Sequence, residues 1–223
     1  MACKIIYENS DFLAVEKTAG ILVHPDPHHK KGTLIQELEK KYPGAVPVHR
    51  LDQDTSGILL IAKNSEAASY FKNLFKEGAI KKTYLALVVG IVKGVRGSIS
   101  LPIARSKKDF RKHATLGIKG KSREAQTDYK ILERIGDRFT LLEVSPKTGR
   151  THQIRSHLAS QGHPIVCDKL YGGKKFFCPK GLTRHFLHAL SLEFSTMRGA
   201  RLKLESGLAR DLTHTLRRLR EEK

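Results

Sequence analysis

The stretch His49–Asn64, HRLDQDTSGILLIAKN, constrains this chain more than any other. Its second half, Gly57–Ala62, is an unbroken apolar run, which predicts a strand buried on both faces. Its first half places a His, an Arg, two Asp, a Thr and a Ser within eight residues. A charged loop that runs straight into a core strand is a rigid mount for a reactive side chain. Asp52 is the residue in it best suited to chemistry.

The 223 residues fit one large domain, 1–223, or two small lobes sharing a sheet. No apolar run approaches the ~18 residues of a membrane span. The opening MACKIIYENSDF lacks the charged-then-apolar pattern of a signal peptide. Cys3, Cys167 and Cys178 stand far apart with no CxxC, which predicts a reducing compartment, no disulfide framework and a cytoplasmic protein. Charge is the strongest global signal. The 41 Lys and Arg face 22 acids, a net charge of +19. A solvated surface usually needs only about 2 to 8 charges, so the excess predicts a polyanionic partner. No basic amphipathic anchor or lipidation motif is evident, which favours nucleic acid over membrane.

Two short strands are expected at Lys4–Tyr7 and Phe12–Glu16, and loops at Pro25–Pro27 and Pro47. Thr33 is a candidate cap for a helix Leu34–Lys41. Ser65 is the expected cap of a helix Glu66–Glu77, with Ala67, Phe71, Leu74 and Phe75 inward and Gly78 as its stop. Lys82–Val89 reads as a strand. Gly90–Ser122 keeps no period and reads as loop or irregular strand, and its basic run as a phosphate-tracking surface. Thr127–Glu133 and Phe139–Val144 form a hairpin turned at Gly136-Asp137. A helix from about Thr151 to Gln161 follows, then strand-like segments at Ile165–Cys167, Arg184–Leu192 and Arg201–Lys203. Leu208, Leu212, Leu216 and Leu219 recur at helical spacing in the tail, Gly207–Lys223. Irregular interspersion of strands and helices points to an α+β fold on a mixed, mainly antiparallel sheet.

Several familiar sites fail on their residues. DQDTSG starts like a calcium loop, but Lys63 stands where a bidentate Glu is required. There is no GxxxxGK[ST], no GxGxxG and no HExxH. His24, His28 and His29 share a loop and could bind a metal adventitiously, but most such loop histidines hold no physiological metal. Ser56 lacks a G-x-S-x-G elbow. What remains is Asp52 and a second motif, Lys147–Arg155, KTGRTHQIR. Here a Gly turn opens a helix whose first turns carry His152 and Arg155, at an end that favours anions. Arg155 could hold a carboxylate ionised, as a nucleophile requires. Spacing alone leaves this open against a structural Asp–Arg bridge.

HRLDQDTSGILLIAKN resembles the first signature of the RluA-type pseudouridine synthases, HRLDxxTSGLLLxAK. KTGRTHQIRSHLASQGHPIVCDKLYGG resembles their second, TGRxHQIRxHLxxxGHPIxGDxxYG. KKTYLALVVG, REAQTDYKIL, HALSLEF and the N-terminal IIYENSDFLAVEKTAGILVHP resemble further landmarks, so the likeness runs from about residue 4 to 205. The chain departs from the pattern at EKTAG, where NKPAG is usual, and at Cys167, where Gly is usual. Neither departure is expected to touch the chemistry, although the first could loosen a turn.

The resemblance implies the pseudouridine synthase fold, with a bent sheet, flanking helices and a central active-site cleft, in a compact member without an S4-type RNA-binding domain. It implies an isomerase acting on uridines of tRNA, large-subunit rRNA or both, and a monomer that needs neither cofactor nor metal. Asp52 is then the catalytic residue, whether it attacks the sugar, adds to the ring or abstracts a sugar proton. Tyr84 would stack on the target base and assist proton handling. Arg155 would pair with Asp52, and Leu192 would form part of an aliphatic wall. Arg50 would fill the space of the flipped nucleotide, with His49, Thr55, Arg150 and His152 also on the RNA side. The competing readings are a non-catalytic RNA-binding or ribosome-assembly protein on the same fold, and a metal-dependent nuclease, for which no convincing carboxylate cluster exists.

Overall fold

The computed structural model describes residues 3–25, 31–115 and 118–222. Asp26, Pro27, His28 and His29 lie outside them. In chain order the strands and helices begin with β1 (Cys3–Glu8), β2 (Phe12–Lys17), α1 (Leu34–Glu39), β3 (Val46–Pro47), β4 (Ser56–Ala62) and α2 (Ser65–Glu77). The middle of the chain supplies β5 (Lys81–Val89), β6 (Arg96–Ser100), β7 (Ile103–Ser106), β8 (His113–Ala114) and β9 (Ile118–Arg123). After these come β10 (Gln126–Ile135), β11 (Phe139–Pro146) and α3 (Gln153–Ser160), and finally β12 (Leu187–Ser195), β13 (Arg201–Glu205) and α4 (Arg210–Glu221). The result is α+β, as expected. Among the described residues no helix is long and apolar enough to cross a membrane.

The chain forms two compact units. The first is Met1–Lys82 with Ala189–Ala209. Here β1 pairs with β2, β2 with β4, β3 with β4 and β12 with β13, all antiparallel. Every residue of β4 is buried, which bears out the strand read from its unbroken apolar run. Phe12, Phe71 and Phe194 meet edge to face at 5.1–5.7 Å between ring centroids and anchor the core. Gly57 has a φ of +116°, and a Cβ there would overlap the main-chain carbonyl of Ala189, so the TSG glycine is required by close strand approach. Helix α2 is capped by Asn64, one residue before the expected Ser65; its side chain accepts from Ala67 N at 2.8 Å. Gly78 ends the helix in the left-handed conformation.

The second unit is Thr83–His188 with Arg210–Lys223. Strands β5, β11, β10 and β6 lie side by side and antiparallel, with the expected β10–β11 hairpin at their centre. A second small sheet has β7 between β8 and β9. The segment 90–122, read as loop or irregular strand, carries the short strands β6 to β8 and most of β9. Its strands are short and studded with Lys and Arg, so no apolar alternation marks them. Ile165–Cys167 is not a strand; Ile165 makes one isolated bridge to Val88. Leu212, Leu216 and Leu219 of α4 are buried as their spacing predicts, whereas Leu208 is half-buried and precedes the helix, which begins at Arg210 and not at Gly207. Arg184 clasps Asp211 at 2.6 and 2.9 Å.

The cysteine reading needs correction. Cys167 and Cys178 form a disulfide, which leaves buried Cys3 as the free thiol. The two lie eleven positions apart, a spacing with no motif to announce it. Cys167 has a φ of +61°, which is the physical reason Gly is usual there in the family it resembles.

Candidate active site

The first unit supplies the Asp52 turn. Asp52 is half-buried and accepts from Thr55 N at 3.1 Å, closing a tight turn over 52–55. Three devices fix that turn. Lys17, fully buried at the end of β2, donates its ammonium to the carbonyls of Thr18, Ile21 and Gln53 at 2.8–2.9 Å. Gly20 N also donates to Gln53 O at 2.9 Å, and Gln53 Nε2 returns a bond to Gly20 O at 3.1 Å. On the other side, His49 Nε2 accepts from Leu60 N at 3.0 Å, and its ring stacks on Phe75 at 4.4 Å. Sequence reasoning missed Lys17, because a Lys at the end of a strand reads as solvated, although it is the letter that EKTAG shares with the usual NKPAG.

Burial, and then the charge of Lys82, push the His49 imidazole down to about 3. The ring is neutral and tied to the main chain, so it holds the loop to β4 and presents no cation to a phosphate. Burial likewise pushes the Lys82 ammonium down to about 8. Arg50 is exposed beside the turn, Thr55 is buried, and Leu192 is buried in β12 opposite Leu204.

The second unit supplies the KTGRTHQIR motif and Tyr84. Tyr84 lies on β5, paired with Val144. Helix α3 begins at Gln153, two residues later than expected. His152 precedes it in a left-handed conformation, φ 55°, so it sits at the cap and not in the first turn. Gln153 satisfies all its hydrogen-bonding capacity. Its amide donates to Gln126 O at 2.9 Å and Thr127 Oγ1 at 3.0 Å, while its carbonyl accepts from Thr148 Oγ1 at 2.7 Å and Arg150 N at 3.0 Å. The turn and helix are thereby bound to β10. Arg150 adds a bond from Nε to Glu124 O at 3.1 Å.

Arg155 is buried and gripped side-on by Asp168. Its Nε and Nη2 donate at 2.7 and 2.9 Å, and Tyr171 covers its guanidinium at 5.0 Å. Asp168 also accepts from Leu170 N and Tyr171 N at 3.0 Å. Burial alone would raise its carboxyl. The Arg155 hydrogen bonds and charge, followed by the charge of His185, outweigh burial and hold it below the usual carboxylate range. Asp168 was present in the quoted motif, but nothing in its spacing identifies it as the anchor of Arg155. Tyr171 also binds His152 Nδ1 at 3.0 Å and accepts from His113 N at 2.8 Å.

Similarity to known proteins is extensive. The family model described as RNA pseudouridylate synthase matches residues 11–160. An uncharacterized RNA pseudouridine synthase of Bacillus subtilis is 38% identical over 99% of this chain and 74% of its own length. One of Aquifex aeolicus is 42% identical over 80% of this chain, which spans only 58% of that relative. A ribosomal large subunit pseudouridine synthase D of Xanthomonas campestris is 37% identical over 98% of the chain and 70% of its own length. Among solved structures, human RNA pseudouridylate synthase domain containing 1 matches with a TM-score of 0.79 at 30% identity, covering 98% of this chain and 94% of that one. With this coverage, and with both signatures seated on the elements just described, the chain belongs to the RNA pseudouridylate synthase family.

Proposed function

We propose that this protein isomerises uridine to pseudouridine in RNA, with Asp52 as the catalytic residue. The observation that carries the reading is the Asp52 turn, pinned on one side by Lys17 and Gly20 and on the other by His49, in a chain of this family. Such fixation is what a carboxylate needs to act at one atom of a bound nucleotide. In the reaction the N1–C1′ bond breaks, the base turns, a C5–C1′ bond forms, and the C5 proton is lost while N1 gains one. No electrons leave the substrate.

Arg155, held by Asp168, is the proposed ionic partner of Asp52, and Tyr84 the stacking partner of the target base. Leu192 is assigned to the aliphatic wall. Arg50, exposed and next to Leu51-Asp52, is assigned to the gap left by the flipped nucleotide, which offsets an unstacking cost of roughly a few kcal/mol. The relatives named as large-subunit ribosomal enzymes make large-subunit rRNA the first substrate to test, and tRNA the second.

The decisive experiment measures tritium release from RNA carrying [5-³H]uridine. Asp52→Asn is expected to fold, to bind RNA as before and to release no tritium. Substantial turnover by that variant would remove Asp52 from its role. An active wild type together with an inactive variant would also exclude a non-catalytic RNA-binding protein.

A further inference from the structure

The small sheet of the second unit carries a feature that uridine isomerisation does not use. Residues 103–123 hold eight Lys and Arg against one acid, Asp109. Between β7 and β8, at the tip, Phe110 is 76% exposed, the most exposed of the large apolar side chains described. Single exposed apolar side chains are common on protein surfaces; what sets Phe110 apart is its place in a run of cations, on a turn held by its own hydrogen bonds.

The tip is an ordered turn. Ser106 N donates to Lys112 O at 3.0 Å and Lys112 N to Asp109 O at 2.9 Å. Ser106 Oγ accepts from the main-chain N–H groups of Lys108 and Asp109 at 3.2 and 3.3 Å. Asp109 grips the Arg111 guanidinium at 3.0 and 2.9 Å and accepts from Arg111 N at 3.1 Å. The arginine bond, first among the causes, holds the Asp109 carboxyl down to about 2, so Asp109 is ionised opposite Arg111 at physiological pH. The base of the turn is also fixed. The Tyr171 hydroxyl accepts from His113 N at 2.8 Å and donates to His113 O at 3.0 Å, while the same oxygen lies 3.0 Å from His152 Nδ1 at the start of α3. The ring is thus held outward on a preorganised support, with exposed Arg105, Lys107 and Lys108 beside it.

We propose that Phe110 is a base-stacking residue, which receives an unpaired nucleobase of the RNA on a basic turn that Tyr171 fastens to the start of α3. An aromatic face flanked by Lys and Arg fits single-stranded nucleic acid on both counts: cations meet the phosphates and the ring meets a base. The main-chain and Ser106 hydrogen bonds of the turn hold it in shape before RNA arrives and so lower the ordering cost of that contact. A paired helix would satisfy the cations but hides its bases, so the partner is looped or single-stranded RNA. The assignment rests on the proposed activity for its choice of RNA.

The chain contains no Trp, so Phe110→Trp introduces a single fluorescent reporter at the tip. The probes are an oligouridylate and a fully paired RNA duplex of equal phosphate number. The fluorescence of Phe110→Trp is expected to be quenched by the oligouridylate and unaffected by the duplex. Phe110→Ala is expected to weaken oligouridylate binding by about 5- to 100-fold. Phe110→Leu, which keeps apolar bulk without a π face, should lose most of the same affinity. On a modifiable RNA, Phe110→Ala should raise KM and leave kcat in place. Equal quenching by duplex and single strand, or an Ala variant that binds as tightly as the wild type, would overturn the proposal. If the wild type releases tritium and Phe110→Ala does so with unchanged KM, the stacking role fails while the activity stands. Selective quenching in a protein that forms no pseudouridine would leave the stacking role standing and sink the activity.

Discussion

Single side chains in this protein do work their residue type does not announce, and His49 is the clearest case. As the first letter of an RNA-facing motif it would be taken for a phosphate contact. Its Nε2 instead accepts from Leu60 N, which requires that nitrogen to be unprotonated. Burial holds its pKa at about 3 in the folded protein, against about 6.5 when unfolded. Between those values the unfolded chain binds one proton more than the folded one, so stability rises with pH across that window. The contribution is complete above about pH 6.5 and is lost as the pH falls toward 3. The lowered carboxyl of Asp168 acts in the same direction at the acid end, since its contribution is lost as pH falls through its folded pKa. His49→Gln keeps an acceptor for Leu60 N and removes the titration, while Asp168 is common to both proteins. Urea denaturation at stepped pH is therefore expected to give the variant a shallower dependence between pH 6.5 and 4, by up to one proton. Identical slopes would mean that His49 titrates as an exposed imidazole.

At the scale of elements, the Asp52 turn depends on a strand it follows by more than thirty residues. Lys17 ends β2 and binds three carbonyls, one of them Gln53 O beside Asp52. Lys17→Met keeps the bulk of the chain but removes this donor from the part-buried carbonyls of Thr18 and Ile21 and leaves Gln53 O with Gly20 N alone, at a cost of about 1 to 3 kcal/mol. The urea midpoint should fall, and tritium release should fall with it under conditions where the variant is still folded, because the turn loses its tether. An unchanged midpoint would show that the carbonyls find other donors. This tether explains the limits of the sequence reading. Strand β4 was legible because burial on both faces leaves an unbroken apolar run. Helices α2 and α4 were legible because one buried face imposes a period. Asp52 stood out as an acid beside a core strand. Lys17, Asp168 and the Cys167–Cys178 bridge were not legible, because each acts through a contact whose partner only the fold brings near. The strands between 96 and 123 were only half legible for another reason: at two to six residues they are too short to show an alternation around their few buried side chains, Ile99, Ile103 and Ala104.

For the molecule as a whole, the net charge of +19 matters only through the cations left for a partner. Some are spent internally. Arg220 lies 2.6 Å from Glu133, Arg184 from Asp211 at the same distance, and Arg155 is locked to Asp168. Lys107 and Lys108 stand exposed on the Phe110 turn, and the only acid of that segment, Asp109, is clasped to Arg111. A phosphate neutralised by an unspent lysine releases a counterion, so log K against log salt falls by about 0.7 per contact on single strands. Binding to an oligouridylate is therefore expected to weaken steeply with salt. Replacing Lys107 and Lys108 together with Ala should reduce the slope by about 1.4. Arg220→Ala should leave the slope nearly unchanged, since Glu133 already neutralises that charge and is itself released by the substitution. Fluorescence anisotropy titrations across a salt series measure all three proteins directly. A flat dependence in the wild type would contradict a phosphate-dominated interface. Equal loss from Arg220→Ala and from the lysine pair would show that net charge governs RNA affinity, whatever its placement.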